Sequence, residues 1–140
     1  MSSTGGPTSC TIRLALAPSA ETGSLARQTL RQLFAAARID RDTSETAVLL
    51  ANELVTNAVE HGHGAAYLEA TVEAGAIRLE VTDSSTVEPR PNTAVDDLDE
   101  RGRGLMLIDA LASRWGVRAR PDGKTIWCEL DLVRENENLF

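Results

Sequence analysis

Glu53 and Asn57 lie four residues apart in the run Asn52-Glu53-Leu54-Val55-Thr56-Asn57-Ala58-Val59-Glu60-His61-Gly62. In a helix that spacing makes them neighbours on one face. Glu60 joins the same stripe, with His61 at its edge. No Lys or Arg occurs between Arg41 and Arg78, so this face offers oxygens, amides and an imidazole. A carboxylate and an amide oxygen held side by side on a rigid helix suit a hard cation such as Mg²⁺. The carboxylate could instead act as a general base near bound phosphates. The same pattern also describes the solvated face of an ordinary amphipathic helix.

Three further places carry chemistry. Arg101-Gly102-Arg103-Gly104-Leu105 stands just before a run of helical character. Glycines let a backbone approach phosphates, a helix N-terminus presents free N–H groups, and the two arginines add charge. A flexible loop end explains two alternate glycines equally well. Asp83 closes an alternating run, where its carboxylate can accept an N–H such as an exocyclic adenine amine, or bond its own backbone at a loop start. Gly123-Lys124-Thr125 has the look of a P-loop, but the position that should hold a glycine is Arg118, and a strand rather than a helix follows. It reads as a turn feeding a strand, from which Thr125 can direct a hydroxyl into a site.

The elements that must position these residues follow from periodicity. Residues 11–17 alternate as a strand, with Ile12, Leu14 and Leu16 on one side. Residues 24–37 form a helix with Leu25, Leu30, Leu33, Phe34 and Ala37 near one face. Asp42 and Glu45 resemble a capping box that opens the next helix. Its apolar stripe is Ala47, Val48, Leu50, Ala51, Leu54, Val55, Ala58 and Val59, and Gly62 and Gly64 end it. Residues 67–74 and 77–83 alternate around Gly75 as an antiparallel hairpin with one buried face. Residues 84–103 hold Pro89, Pro91, the acids Asp96, Asp97, Asp99 and Glu100, and almost no large apolar side chain, which marks a functional or disordered loop. A helix over 104–112 and strands over 114–119 and 125–132 complete the order. In the last strand Ile126, Cys128, Leu130 and Leu132 point one way. This order predicts an α+β fold: a two-layer α/β sandwich with a mixed, mostly antiparallel sheet and helices on one face.

Composition bounds the rest. At 140 residues the chain reads as one domain over 10–133, with a disordered lead over 1–9 and a loose tail over 134–140. The net charge of −7 disfavours nonspecific nucleic-acid binding. The first nine residues lack the basic start and apolar centre of a signal peptide, and no apolar run is long enough to span a bilayer. Cys10 and Cys128 have no metal-ligand company and read as small strand residues. The expectation is a cytoplasmic protein with no membrane partner.

Taken in order, a helix with an acid and an amide four apart, a strand-end Asp, a long loop, a Gly-x-Gly helix start and a final strand with Thr resemble one family. This is the ATP-binding domain shared by gyrase, the ninety-kilodalton heat-shock chaperone, histidine kinases and the mismatch-repair ATPase. Within that superfamily, the run from Glu53 to Gly62 looks most like the anti-sigma-factor serine kinases. The resemblance implies a Bergerat-type fold with ATP and Mg²⁺ as cofactors. It implies Glu53 as catalytic base, Asn57 as the Mg²⁺ holder and Asp83 as the adenine reader. Arg101, Gly102, Arg103, Gly104 and Leu105 match the second glycine box around the phosphates, Thr125 the adenine-side threonine, and residues 84–101 an ATP lid. It also implies a sigma factor and an anti-sigma-factor antagonist as partners, and a homodimer. One departure is plain: the family's first glycine box reads Asp-x-Gly-x-Gly, whereas Ser84, Ser85, Thr86 and Val87 follow Asp83 here. Three functions remain open: a serine kinase, an ATP-binding partner switch without turnover, and a scaffold that has lost nucleotide binding.

Overall fold

Three helices and five strands form from these runs in the computed structural model, which describes residues 9–17, 19, 21–61, 66–84 and 101–132, without the side chains of Glu60, His61, Arg101 and Arg103. In chain order they are β1 (Cys10–Leu16), α1 (Thr22–Ala36), α2 (Arg41–His61), β2 (Ala66–Val72), β3 (Ala76–Asp83), α3 (Arg101–Leu111), β4 (Arg114–Arg120) and β5 (Gly123–Asp131). The expected lead up to residue 8, the two glycines ending α2, the body of the long loop over 85–100 and the expected tail over 134–140 lie outside the described residues.

The strands make one sheet in the order β1-β2-β3-β5-β4. Every pairing is antiparallel, so the α+β sandwich is as expected but its described sheet is not mixed. Alternation decides which side is covered. Leu68, Ala70, Val72, Ile77, Leu79, Val81, Ile126 and Cys128 are buried and meet the helices there. The intervening residues of β2 and β3 are half-buried and pair across the open face. On that face Arg78 donates to Glu80 and Glu129 at 2.6 Å each, and Arg114 donates to Glu129 at 2.8 Å. Arg78 also lies 4.6 Å over the Trp127 ring, and Arg13 lies 3.9 Å over Tyr67. These are the cross-strand pairs that hold a sheet with one solvated face.

The helix α2 is the centre of the second layer. Ala47, Val48, Leu50, Ala51, Leu54, Val55 and Ala58 are all buried, at about 2 kcal/mol for each large side chain taken from water. Its start is two residues earlier than expected. The Asp40 carboxylate, not Asp42, accepts the Thr43 backbone N–H at 3.0 Å, and the helix begins at Arg41. That is the side-chain oxygen to third-residue N–H bond of an N-cap. In α1 the buried line is Thr22, Ala26, Leu30 and Phe34. Leu25, expected inside, is 55% exposed because it falls a quarter-turn off that line. Helix α1 closes with Arg38 at φ 62 and the Ile39 N–H donating to the Phe34 carbonyl at 3.0 Å, a Schellman closure with Arg in the place glycine usually holds.

Candidate functional site

Glu53 and Asn57 sit one turn apart on α2, both half-buried. The buried residues Leu54 and Ala58 follow each of them, so the two polar groups occupy the flank of the helix beside the core. Among the described residues neither side chain makes a hydrogen bond or ion pair. Asn52, at the opening of the same run, has a structural partner instead. Its side-chain oxygen accepts from Arg27 at 2.9 Å, fixing α2 against α1.

The helix α2 packs on β2, β3 and β5, and the ends of β3 and β5 meet where Asp83 pairs with Lys124. Asp83 has the parity of the buried Ile77, Leu79 and Val81, and Lys124 that of Ile126 and Cys128. Both therefore face the helices. The ammonium of Lys124 donates to both Asp83 oxygens at 3.2 Å. The two side chains are 5% and 3% exposed, so this is a buried ion pair at the rim of an apolar core.

Gly123 makes that approach possible. A Cβ there would overlap the Asp83 carbonyl oxygen and come within 2.9 Å of its carbon and of the Ser84 Cα. Glycine is the residue that fits because the clash would be with backbone, which cannot turn aside.

Thr125 is not brought to Asp83. It pairs with Thr82, and the two hydroxyls lie 2.8 Å apart. Arg120 also donates to the Thr125 hydroxyl at 3.3 Å. Thr82 and Thr125 have the opposite strand parity to Asp83 and Lys124, so the Thr125 hydroxyl belongs to the other side of the sheet. The residue that stands opposite Asp83 is Lys124. A signal for it was present: stepping back by two from Ile126 along the alternation reaches Lys124, not Thr125.

The glycine-rich segment also differs from its reading. Arg101, Gly102, Arg103 and Gly104 form the first turn of α3 rather than a loop before it. Gly is disfavoured inside a helix by about 1 kcal/mol, yet the first-turn N–H groups have no intrahelical acceptor in any case. Leu105 is 2% exposed and packs with Ile108 in the core, anchoring α3 beside α2. Trp115 donates its indole N–H to Asp109 at 2.8 Å and ties α3 to β4.

Among the described residues, no group of three or more His, Cys, Asp or Glu side chains converges to hold a metal ion. Among the described residues no helix is long and apolar enough to cross a membrane.

Comparison with known proteins places residues 16–130 in a match to the histidine kinase-like ATPase domain. An uncharacterized protein of Streptomyces coelicolor is 41% identical over 81 residues, which is 55% of this chain and 77% of that one. Among solved structures, the RsbU and RsbW domains of a Mycobacterium tuberculosis protein superpose with a TM-score of 0.70 at 22% identity, over 89% of this chain. The match spans 32% of that longer protein. The SiaB–SiaC complex of Pseudomonas aeruginosa gives a TM-score of 0.58 at 14% identity, over 88% of each chain. At these identities the structural likeness is one of fold.

Proposed function

We propose, for a chain that belongs to the histidine kinase-like ATPase domain family, that it binds ATP with Mg²⁺ and is a serine kinase for an anti-sigma-factor antagonist, while sequestering a sigma factor. The observation that carries this reading is the pair Glu53 and Asn57, half-buried on α2 without partners among the described residues. That helix packs on the two strands whose ends hold the buried Asp83 and Lys124.

The donor set fits a nucleotide. A carboxylate has about four lone-pair sites, so Asp83 can hold Lys124 and still accept an adenine amine. Asn57 offers an amide oxygen to a hard cation whose other ligands are phosphate oxygens. The N–H groups of the first turn of α3, with Gly102 and Gly104 there, suit an anion. ATP, when bound, supplies the phosphoryl group. Glu53, the carboxylate one turn from Asn57 on that face of α2, would take a proton from a serine hydroxyl, and the rest of the work is positioning and charge neutralisation. The two-protein SiaB–SiaC assembly supports a role exercised through a partner protein.

A second reading is an ATP-binding partner switch without turnover. The run Ser84-Ser85-Thr86-Val87 in place of the first glycine box favours it, since those glycines would let the backbone pass close to a nucleotide.

Single-turnover phosphate transfer to small antagonist proteins from the same genome separates the two. For a kinase, Glu53→Gln keeps the fold and most ATP affinity but loses about a hundredfold in transfer. Asn57→Ala loses Mg²⁺-dependent ATP binding itself, read by calorimetry with and without chelator. Full transfer activity in Glu53→Gln would sink the catalytic assignment. Wild type that binds ATP and transfers nothing to any antagonist is the switch.

A further inference from the structure

The ammonium of Lys124 stands in an expensive place. Burying an ion pair costs several kcal/mol in desolvation, and apolar residues of similar size generally serve stability as well or better. On the covered face of β5 the following positions are apolar, Ile126 and Cys128. Packing alone gives no reason for a lysine at the head of that line. Gly123, moreover, is shaped to let the Asp83 backbone close on this strand. Lys124 and Asp83 together hold a donor against an acceptor, 3.2 Å apart and almost fully buried, on the face of the sheet that the helices cover.

The base-pairing edge of adenine presents the complement, an exocyclic amine donor beside the ring N1 acceptor. A lone carboxylate would match half of it. One oxygen accepts the amine, while the other sits near the N1 lone pair and is repelled. An ammonium carries three N–H donors, so it can keep a bond to Asp83 and direct another to N1. We propose that Lys124 is a base-reading residue, donating to adenine N1 while Asp83 accepts from the exocyclic amine. This rests on the ATP-binding reading above and extends it to a second recognition residue.

The test is calorimetric titration of the full chain with three triphosphates: ATP, the 1-deazaadenosine analogue in which N1 is a C–H, and the purine riboside analogue that lacks the amine. Wild type should bind the 1-deaza analogue about tenfold more weakly than ATP, the scale of one hydrogen bond to a charged group. Lys124→Met should bind ATP about as weakly as wild type binds the 1-deaza analogue and should not distinguish the two. It should still discriminate against the analogue without the amine, because Asp83 remains. A purely structural lysine would weaken all three ligands together and leave their ratios unchanged, and that result overturns the proposal.

Equal affinity of wild type for ATP and its 1-deaza analogue also overturns it, with ATP binding itself intact. Tighter ATP binding by Lys124→Met would make the lysine an occupant of the base position rather than a reader of the base, and is equally fatal. Absence of any ATP binding by wild type defeats the underlying functional reading along with this one. Should Lys124→Met fail to fold, the wild-type comparison of the analogues decides alone.

Discussion

Replacing Gly123 by alanine adds one methyl group where β5 lies hard against the backbone at the end of β3. The structure states what it would meet: the Asp83 carbonyl oxygen, within bonding range, and the Asp83 carbonyl carbon and Ser84 Cα at 2.9 Å each. All three are backbone, so relief requires the strand end to retreat by more than an ångström. Overpacking of this kind costs about 1–3 kcal/mol. The retreat also loosens the buried Asp83–Lys124 pair, whose disruption carries its own penalty. A loss of about 3 kcal/mol is expected, which lowers the melting temperature of a domain this size by about 10 °C. The assay is thermal unfolding followed by circular dichroism, with Gly75→Ala as the control. Nothing lies within 4 Å of a Cβ at Gly75, so that variant should melt with wild type or slightly above it. A Gly123→Ala protein that melts with wild type would refute the close approach and, with it, the reason given for a glycine before Lys124.

Other perturbations test other parts. Asp40→Ala removes the cap on Thr43 N–H and should cost about 1 kcal/mol by chemical denaturation, whereas Asp42→Ala should cost markedly less. Cys128 is fully buried, and burial pushes its thiol up to about 12. Native protein at pH 8 should therefore take up one iodoacetamide adduct, on the exposed Cys10, and a second only after unfolding, as read by mass spectrometry. Hydrogen bonds from Arg114 hold both Glu129 and Asp131 below their ordinary values of 4.5 and 3.8. A lowered carboxylate contributes stability that is present above its unfolded value and lost as pH falls through its folded one. Melting temperature should thus fall below about pH 4.5, and more steeply for wild type than for Arg114→Met.

Much of this architecture was legible because two periodicities carry it. The eight-residue apolar stripe of α2 was read whole; seven of its members are buried and Val59 packs against the core. The hairpin around Gly75 was found because β2 and β3 alternate without a break, and burial follows that alternation residue by residue. The misreadings lie at boundaries, where short-range chemistry decides. Asp40 and Asp42 are both plausible caps by type, and Asp40 prevails because it stands one residue before the helix and three before the N–H it caps. The glycines at 102 and 104 signalled a loop by propensity, but α3 extends back over them, with Leu105 and Ile108 holding it to the core.

Thr125 and Lys124 show where type and geometry part. A threonine in a final strand matches a familiar role, and a lysine in a core-facing position matches none, so residue type pointed to Thr125. Strand parity points the other way. Ile126, Cys128 and Leu130 share a face, and two residues before Ile126 on that face is Lys124, directly opposite Asp83 in the register. The hydroxyl pair of Thr82 and Thr125 then falls on the opposite face of the sheet, 2.8 Å apart. Parity is the stronger argument because a one-residue slip would also turn Ile126 and Cys128 away from the helices and bring Trp127 and Glu129 into the core. The cost of exposing two apolar side chains and burying a carboxylate far exceeds any gain from a single threonine hydroxyl. The residue that stands opposite Asp83 at the end of β3 is thus fixed by the core below it.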